Sequence, residues 1–197
     1  DTIARALGAT PSEVVFTSGG TEGINAAIKG AAIAAMARGR HVVTTAIEHH
    51  AVLHACGWLA NLGFETTIVP VDRNGMVDPH DVRRAIRPDT VLVSVMFANN
   101  EVGTIQPIAE VAAFTRHAGV PLHVDAVQAA GTLPIDVHSM GIDLMTISAH
   151  KFQGPKGVGV LTIRNGTPWL PMQSGGAQES NRRAGRSEEH TSELRSH

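Results

Sequence analysis

Short β-branched runs alternate with longer alanine-rich stretches along most of this chain, and that alternation constrains its fold more than any other feature. Residues 14–17, 41–45, 66–69, 91–97, 121–125, 144–148 and 158–162 read as strands. Helix patterns lie between most of them, clearest at residues 23–38, 50–62, 78–86 and 108–118, each with aliphatics at three- and four-residue spacing. Gly39, Gly63 and Gly119 mark helix stops. Strand-helix alternation predicts an α/β fold, a mostly parallel sheet with helices on both faces, and the nearly continuous apolar run VLVSVMF agrees with burial on both sides. The last two strands are joined by a glycine loop too short for a helix, so one strand is expected to run antiparallel to the rest.

The apolar content of 43% and charged content of 17% in 197 residues are those of an ordinary globular chain, and residues 1–185 read as one domain. A net charge of −2 provides no basic surface for nucleic acid, and no apolar run approaches the ~20 residues that span a bilayer. One cysteine excludes an internal disulfide framework, and the opening residues are not a charged-then-apolar leader, so a cytoplasmic setting is expected. The first twenty residues read as a helix end running into a strand, which points to an interior start within a longer protein. Residues 186–197, RSEEHTSELRSH, lack apolar periodicity and resemble a translated sequencing adapter, so a non-native tail is expected there.

Ligands of open parallel sheets bind beyond the carboxyl ends of the strands. Five predicted ends carry polar chemistry that the strand interiors lack: Ser18-Gly-Gly-Thr21, Glu48-His-His50, Asn99-Asn-Glu101, Asp125 with Gln128, and Ser148-Ala-His-Lys151. They argue for one composite site. In Thr17-Ser-Gly-Gly-Thr-Glu22 a strand ends, glycines allow a tight turn and a helix begins, leaving backbone N–H groups free to cradle a phosphate. An ordinary turn with Thr21 as helix cap has the same pattern. The segment is neither a P-loop nor a dinucleotide fingerprint. Asp125 places a carboxylate near the core, where it needs a cationic partner such as a protonated pyridine nitrogen, or serves as a helix cap. Lys151 follows a buried strand and precedes a glycine-proline turn, where its amine could form a Schiff base or simply be solvated. Lys156 reads as exposed. His50 and His54 share a helical spacing, but no third ligand accompanies them, so no metal is expected.

Taken together, SGGTEGINAAIKG, EHHAVL, NNEVGTIQPI, HVDAVQAAG and SAHKFQGPKGVGVL resemble, in order, the fold-type I pyridoxal phosphate enzymes, and most closely the cysteine desulfurases of the NifS/IscS type. The resemblance covers nearly all of residues 1–185 and implies the large, cofactor-binding domain of such an enzyme, truncated at both ends. It implies pyridoxal 5'-phosphate carried by Lys151, Asp125 on the pyridine nitrogen, Gln128 on the ring hydroxyl and His49 stacked on the ring as a proton relay. Gly20, Thr21, Ser148 and His150 resemble the phosphate-binding set, Asn100 a polar neighbour of ring and substrate, and Arg183 an arginine near the substrate carboxylate. The implied reaction converts L-cysteine to L-alanine and leaves sulfur as an enzyme persulfide, for iron–sulfur assembly or thiolation through an acceptor protein. A homodimer is implied as well.

The sequence also departs from that pattern. The nucleophilic cysteine is expected on a loop beyond Gly185, and Cys56, within a predicted helix among apolar residues, reads as an inert buried thiol. Arg186 stands where the family has a phosphate-site threonine for the neighbouring subunit, and Gln153 stands where relatives often carry histidine or tyrosine. The chain is therefore expected to lack desulfurase activity itself and, without the family's smaller domain, to expose apolar surface and be poorly soluble. A selenocysteine lyase, a class V aminotransferase and a non-catalytic cofactor-binding fragment remain as alternatives.

Overall fold

A computed structural model describes residues 1–185; the adapter-like segment 186–197 lies outside the described residues. Seven strands form one sheet: β1 (Val14–Thr17), β2 (His41–Thr45), β3 (Glu65–Val69), β4 (Thr90–Met96), β5 (Leu122–Asp125), β6 (Leu144–Ser148) and β7 (Gly159–Ile163). Their order is β1-β7-β6-β5-β4-β2-β3, and β7 alone runs against its neighbours, as the short glycine connection requires. Among the described residues, five helices of five residues or more accompany them: α1 (Thr2–Ala6), α2 (Gly20–Ala34), α3 (His50–Leu59), α4 (Pro79–Ala85) and α5 (Ile108–Ala118).

The sheet separates two apolar cores. Side chains alternate along each strand, so Val93, Val95 and Val124 enter a core with Val82 of α4 and Val111 of α5. Val42, Leu92 and Leu144 enter the other, with Ile24 and Ile28 of α2 and Val52 and Leu59 of α3. Each fully buried aliphatic of this kind contributes on the order of 1.5–3 kcal/mol. Helix α2 begins three residues earlier than its periodicity predicts, because Gly20, Thr21 and Glu22 complete its first turn. It also ends at Ala34, four residues early, and beyond it the Arg38 guanidinium donates to the carbonyls of Gly119 and Thr90.

On the α2–α3 face, one row of polar side chains crosses the sheet beneath the strand ends. Fully buried His123 of β5 sits between Ser94 of β4 and Thr146 of β6, with Nδ1 2.8 Å from Ser94 Oγ and Nε2 3.1 Å from Thr146 Oγ1. Gly23 lets α2 rest on this row, since a Cβ there would stand 2.7 Å from Thr146 Cγ2. At the sheet edge, β1 is covered by side chains in place of a strand. The Phe16 N–H donates to Glu179, and Arg182 donates to the carbonyls of Ser12 and Val14.

Burial pushes His123 down from 6.5 to about 3, so the folded chain keeps the ring neutral while the unfolded chain takes up a proton near 6.5. Stability from this site is therefore present above pH 6.5 and lost as pH falls toward 3, at on the order of 1 kcal/mol per pH unit. In urea unfolding, the advantage of the wild-type chain over His123→Gln is expected to shrink across that window; a gap independent of pH would show that the ring is protonated in the fold.

Candidate active site

The carboxyl ends of β4, β5 and β6 and the amino end of α2 enclose a cavity of about 290 Å³. Ten of the residues around it come from the strand-end motifs and the start of α2: Gly20, Thr21, Ile24, His49, Asn100, Asp125, Gln128, Ser148, His150 and Lys151, with Met96 and Val127 completing the wall. The polar strand ends therefore meet in space as one composite site.

Asp125 ends β5 and is 4% exposed, and its Oδ1 accepts the Val127 N–H at 3.0 Å. Burial pushes its carboxyl up, against the opposing pull of that hydrogen bond and of nearby His49. Among the described residues no lysine or arginine forms an ion pair with it, so His49 is the only side chain that offsets the burial of its charged form. A ligand with a basic ring nitrogen would supply a cationic partner.

On the same cavity, the first turn of α2 has no side-chain cap, and the first intrahelical bond, Gly23 N–H to Gly19 O, leaves the amides of residues 20–22 outside the helical ladder. Ser148 Oγ and His150 Nδ1, 2.9 Å apart, stand beside this turn. A Cβ on Gly20 would come within 2.8 Å of Val127 Cγ2 and 3.7 Å of Ser148 Cβ. The helix can begin this close to the strand ends because residue 20 has no side chain. Uncapped amides at a helix start suit a phosphate.

Lys151 lies in the short 3-10 turn Ala149–Phe152 that follows β6. The Gly154 N–H closes this turn on Ala149 O at 2.8 Å, and Gln153 takes a left-handed conformation with φ 67°. Phe152 packs on Gly131, where a Cβ would come within 2.6 Å of it. His49 caps α3, its Nδ1 accepting the Ala51 N–H at 3.1 Å, which places the proton of the neutral ring on Nε2. Asn99 shapes the turn that presents Asn100: its Oδ1 accepts the N–H groups of Glu101 and Val102, and its Nδ2 donates to Ile47 O.

Arg183 is not brought into the cavity. Its guanidinium is bound by Glu22, with Nε to Oε1 at 2.7 Å and Nη2 to Oε2 at 3.0 Å. Lys156 is exposed, as expected. The His50 and His54 rings lie 5.5 Å apart, and among the described residues no group of three or more His, Cys, Asp or Glu could hold a metal. None of the described helices is long and apolar enough to cross a membrane. Cys56 is buried, and burial, with the nearby Glu48, pushes its thiol up to about 12.

Glu48 is the residue that sequence reasoning passed over. Its position in the EHH strand end was visible, but nothing in the sequence revealed that its side chain turns inward. Oε1 accepts from Thr45 Oγ1 at 2.7 Å and from Met96 N at 2.8 Å, fastening β2 to the floor of the cavity, while Oε2 has no partner among the described residues. Burial first, and Asp125 in addition, pushes this carboxyl up to about 8. A second, apolar groove of about 830 Å³ opens on the other face, between Leu7, Phe16, Ile135, Ile147 and Val160. No titratable side chain lines it, so the chemistry belongs to the smaller cavity.

The family model described as aminotransferase class-V matches residues 1–194. The chain is 54% identical over 183 residues to cysteine desulfurase IscS of Dictyoglomus turgidum, which covers 93% of this chain and 46% of that protein. Among solved structures it resembles a NifS-like protein, with TM-score 0.91, 44% identity and coverage of 94% of this chain and 52% of that one. It also resembles SspA in complex with cysteine, with TM-score 0.91, 41% identity and coverage of 94% and 54%. The chain thus spans about half the length of the curated relatives it matches.

The unfolded chain releases the Glu48 proton near pH 4.5 and the folded chain near 8, so this group costs stability as pH rises through that window. Glu48→Gln keeps the Oε1 acceptor without the charge. In urea unfolding of the cofactor-free chain, its advantage over wild type is expected to grow from pH 4.5 to pH 8, reaching a few kcal/mol; no growth would show that Glu48 is ionised in the fold.

Proposed function

Since the chain belongs to the aminotransferase class-V family, we propose that it forms the pyridoxal phosphate-binding core of a cysteine desulfurase, which takes L-cysteine to L-alanine and passes the sulfur to a cysteine thiolate as a persulfide. The observation that carries this reading is the meeting, in one cavity, of a buried carboxylate with no lysine or arginine partner among the described residues, an uncapped helix start and a lysine on a tight turn. Those three groups match the ring nitrogen, the phosphate and the aldehyde of that cofactor. When bound, pyridoxal phosphate supplies an electron sink for the substrate's α-carbon.

The chain's own residues then have distinct tasks. Lys151 Nζ would hold the cofactor covalently and would be the base that takes the α-proton of the amino acid. Asp125 keeps the ring nitrogen protonated, and its burial strengthens that interaction because little water competes for the charge. His49, with Nδ1 engaged by the Ala51 N–H, would place its imidazole against the ring and has Nε2 left to relay protons. Gln128 serves the ring hydroxyl and Asn100 the ring edge beside the substrate. The N–H groups at Gly20 and Thr21, with Ser148 Oγ and His150, hold the phosphate.

A neighbouring structure solved with cysteine supports L-cysteine as the substrate. A protein acceptor for the sulfur, a role in iron–sulfur or thiolation pathways, a homodimeric assembly and a cytoplasmic setting go with the same proposal. Cys56, the one thiol in the sequence, is too buried and too weakly acidic to be the nucleophile.

Titrating the purified chain with pyridoxal phosphate is expected to produce the yellow absorbance of a lysine-bound cofactor, absent in Lys151→Ala and bound at least about tenfold more weakly in Asp125→Ala. A wild-type chain that stays colourless would overturn the assignment. The chain alone is expected to release no alanine from cysteine, because its thiol is inaccessible; measured alanine would place the nucleophile at Cys56 after all.

A further inference from the structure

We propose that Arg183 is a positioning residue for the phosphate end of the cofactor cavity, acting through Glu22. The inference rests on the pyridoxal phosphate reading above. Glu22 lies in the first turn of α2, two residues beyond Gly20, at the helix start assigned to the phosphate. A carboxylate there competes with an anionic ligand for the same positive end of the helix and repels it. Yet it cannot simply be dispensed with. Its Oε2 accepts both the Ser18 N–H at 2.9 Å and Ser18 Oγ at 2.6 Å, which fixes the turn between β1 and α2.

Arg183 resolves that conflict. Its two hydrogen bonds engage both oxygens of Glu22, and the side chains are only 11% and 24% exposed, so the neutralisation is not lost to solvent. Burial alone would raise the Glu22 carboxyl; the Arg183 and Ser18 hydrogen bonds outweigh it and hold the carboxyl below its usual range. The arginine is itself held in place. Neighbouring Arg182 is anchored on the carbonyls of Ser12 and Val14, Glu179 receives the Phe16 N–H, and the Ala184 N–H bonds Gln173 O. Three successive non-glycine residues, Glu179, Ser180 and Asn181, take left-handed conformations to make that path. The segment thus turns back along the edge of β1 and presents one guanidinium to the one acidic group in the first turn of the helix.

The role predicts a selective defect. Pyridoxal, which lacks the phosphate, should not sense the Glu22 charge, whereas pyridoxal phosphate should. Equilibrium titrations of the purified chain with each compound, followed by absorbance, are therefore expected to show Arg183→Ala binding pyridoxal phosphate about tenfold more weakly, a change of about 1.4 kcal/mol, with pyridoxal unchanged. Adding Glu22→Gln to Arg183→Ala is expected to recover most of the loss, because the amide still accepts from Ser18 and carries no charge. Arg183→Lys, which keeps the positive charge, is expected to stay close to wild type, and Arg183→Gln takes the place of the alanine variant if that variant fails to melt cooperatively. Equal weakening of both compounds, no recovery in the double variant, or an alanine-like loss in the lysine variant would each overturn the inference while leaving the cofactor assignment intact. A wild-type chain that binds neither compound would instead remove the cofactor reading, and this inference with it.

Discussion

A carboxylate at the end of a buried strand is the constraint on which the rest of this structure depends. Asp125 cannot be moved outward without unpairing β5 from β4 and β6, and it cannot be charged there without a positive group close by. The neighbouring strand ends are organised around that demand. Met96 is its register partner on β4, and Met96 N is held by Glu48, a carboxyl that burial keeps protonated and so adds no second negative charge. Two acids thus stand close together, burial raises both, and a charge on Asp125 raises Glu48 further. Beneath them the Ser94–His123–Thr146 row is satisfied internally and neutral, so it steadies the three central strands without altering the charge of the cavity.

Much of this arrangement was legible in the sequence, because it follows from two short-range rules. Period-two and period-three-or-four patterns fixed the seven strands and the principal helices, and ligands in parallel sheets gather beyond the carboxyl ends of the strands. Lys151, Asp125, His49 and Gly20 all sit where those rules place them. The antiparallel direction of β7 followed from connection length alone. What the sequence did not disclose depends on side-chain direction and on contacts distant along the chain. Glu48 and His49 are adjacent, yet one turns into the sheet and the other lines the cavity. Arg183 pairs with a residue 161 positions away, and motif likeness said only that an arginine belongs in that stretch. The early start of α2 was hidden because glycines signal a turn as readily as a helix whose first residues must lie against a neighbour.

The turn carrying Lys151 joins two different environments. Alternation along β6 sends Ser148 toward the polar cavity and Ile147 toward the apolar groove on the other face. Phe152, one residue after the lysine, lines that groove and rests on Gly131 while staying partly exposed, so the turn touches the apolar side while its amine is offered to the polar one. A reactive lysine gains from such a setting, because the backbone that carries it is held by the Gly154–Ala149 turn bond and the Phe152 contact rather than by groups that must take part in the chemistry.

The two margins of the sheet are treated unequally. Along β1 the outward-facing backbone groups of Ser12, Val14 and Phe16 are engaged by Arg182 and Glu179. Along β3, at the far margin, no described strand lies beyond Glu65–Val69, and Ile68 is 54% exposed. Colloidal behaviour follows from that difference. Strand-to-strand recruitment between molecules has a template at β3 and a blocked one at β1, so association through sheet margins would join β3 to β3 and stop at pairs, without the second open margin that an endless fibre needs.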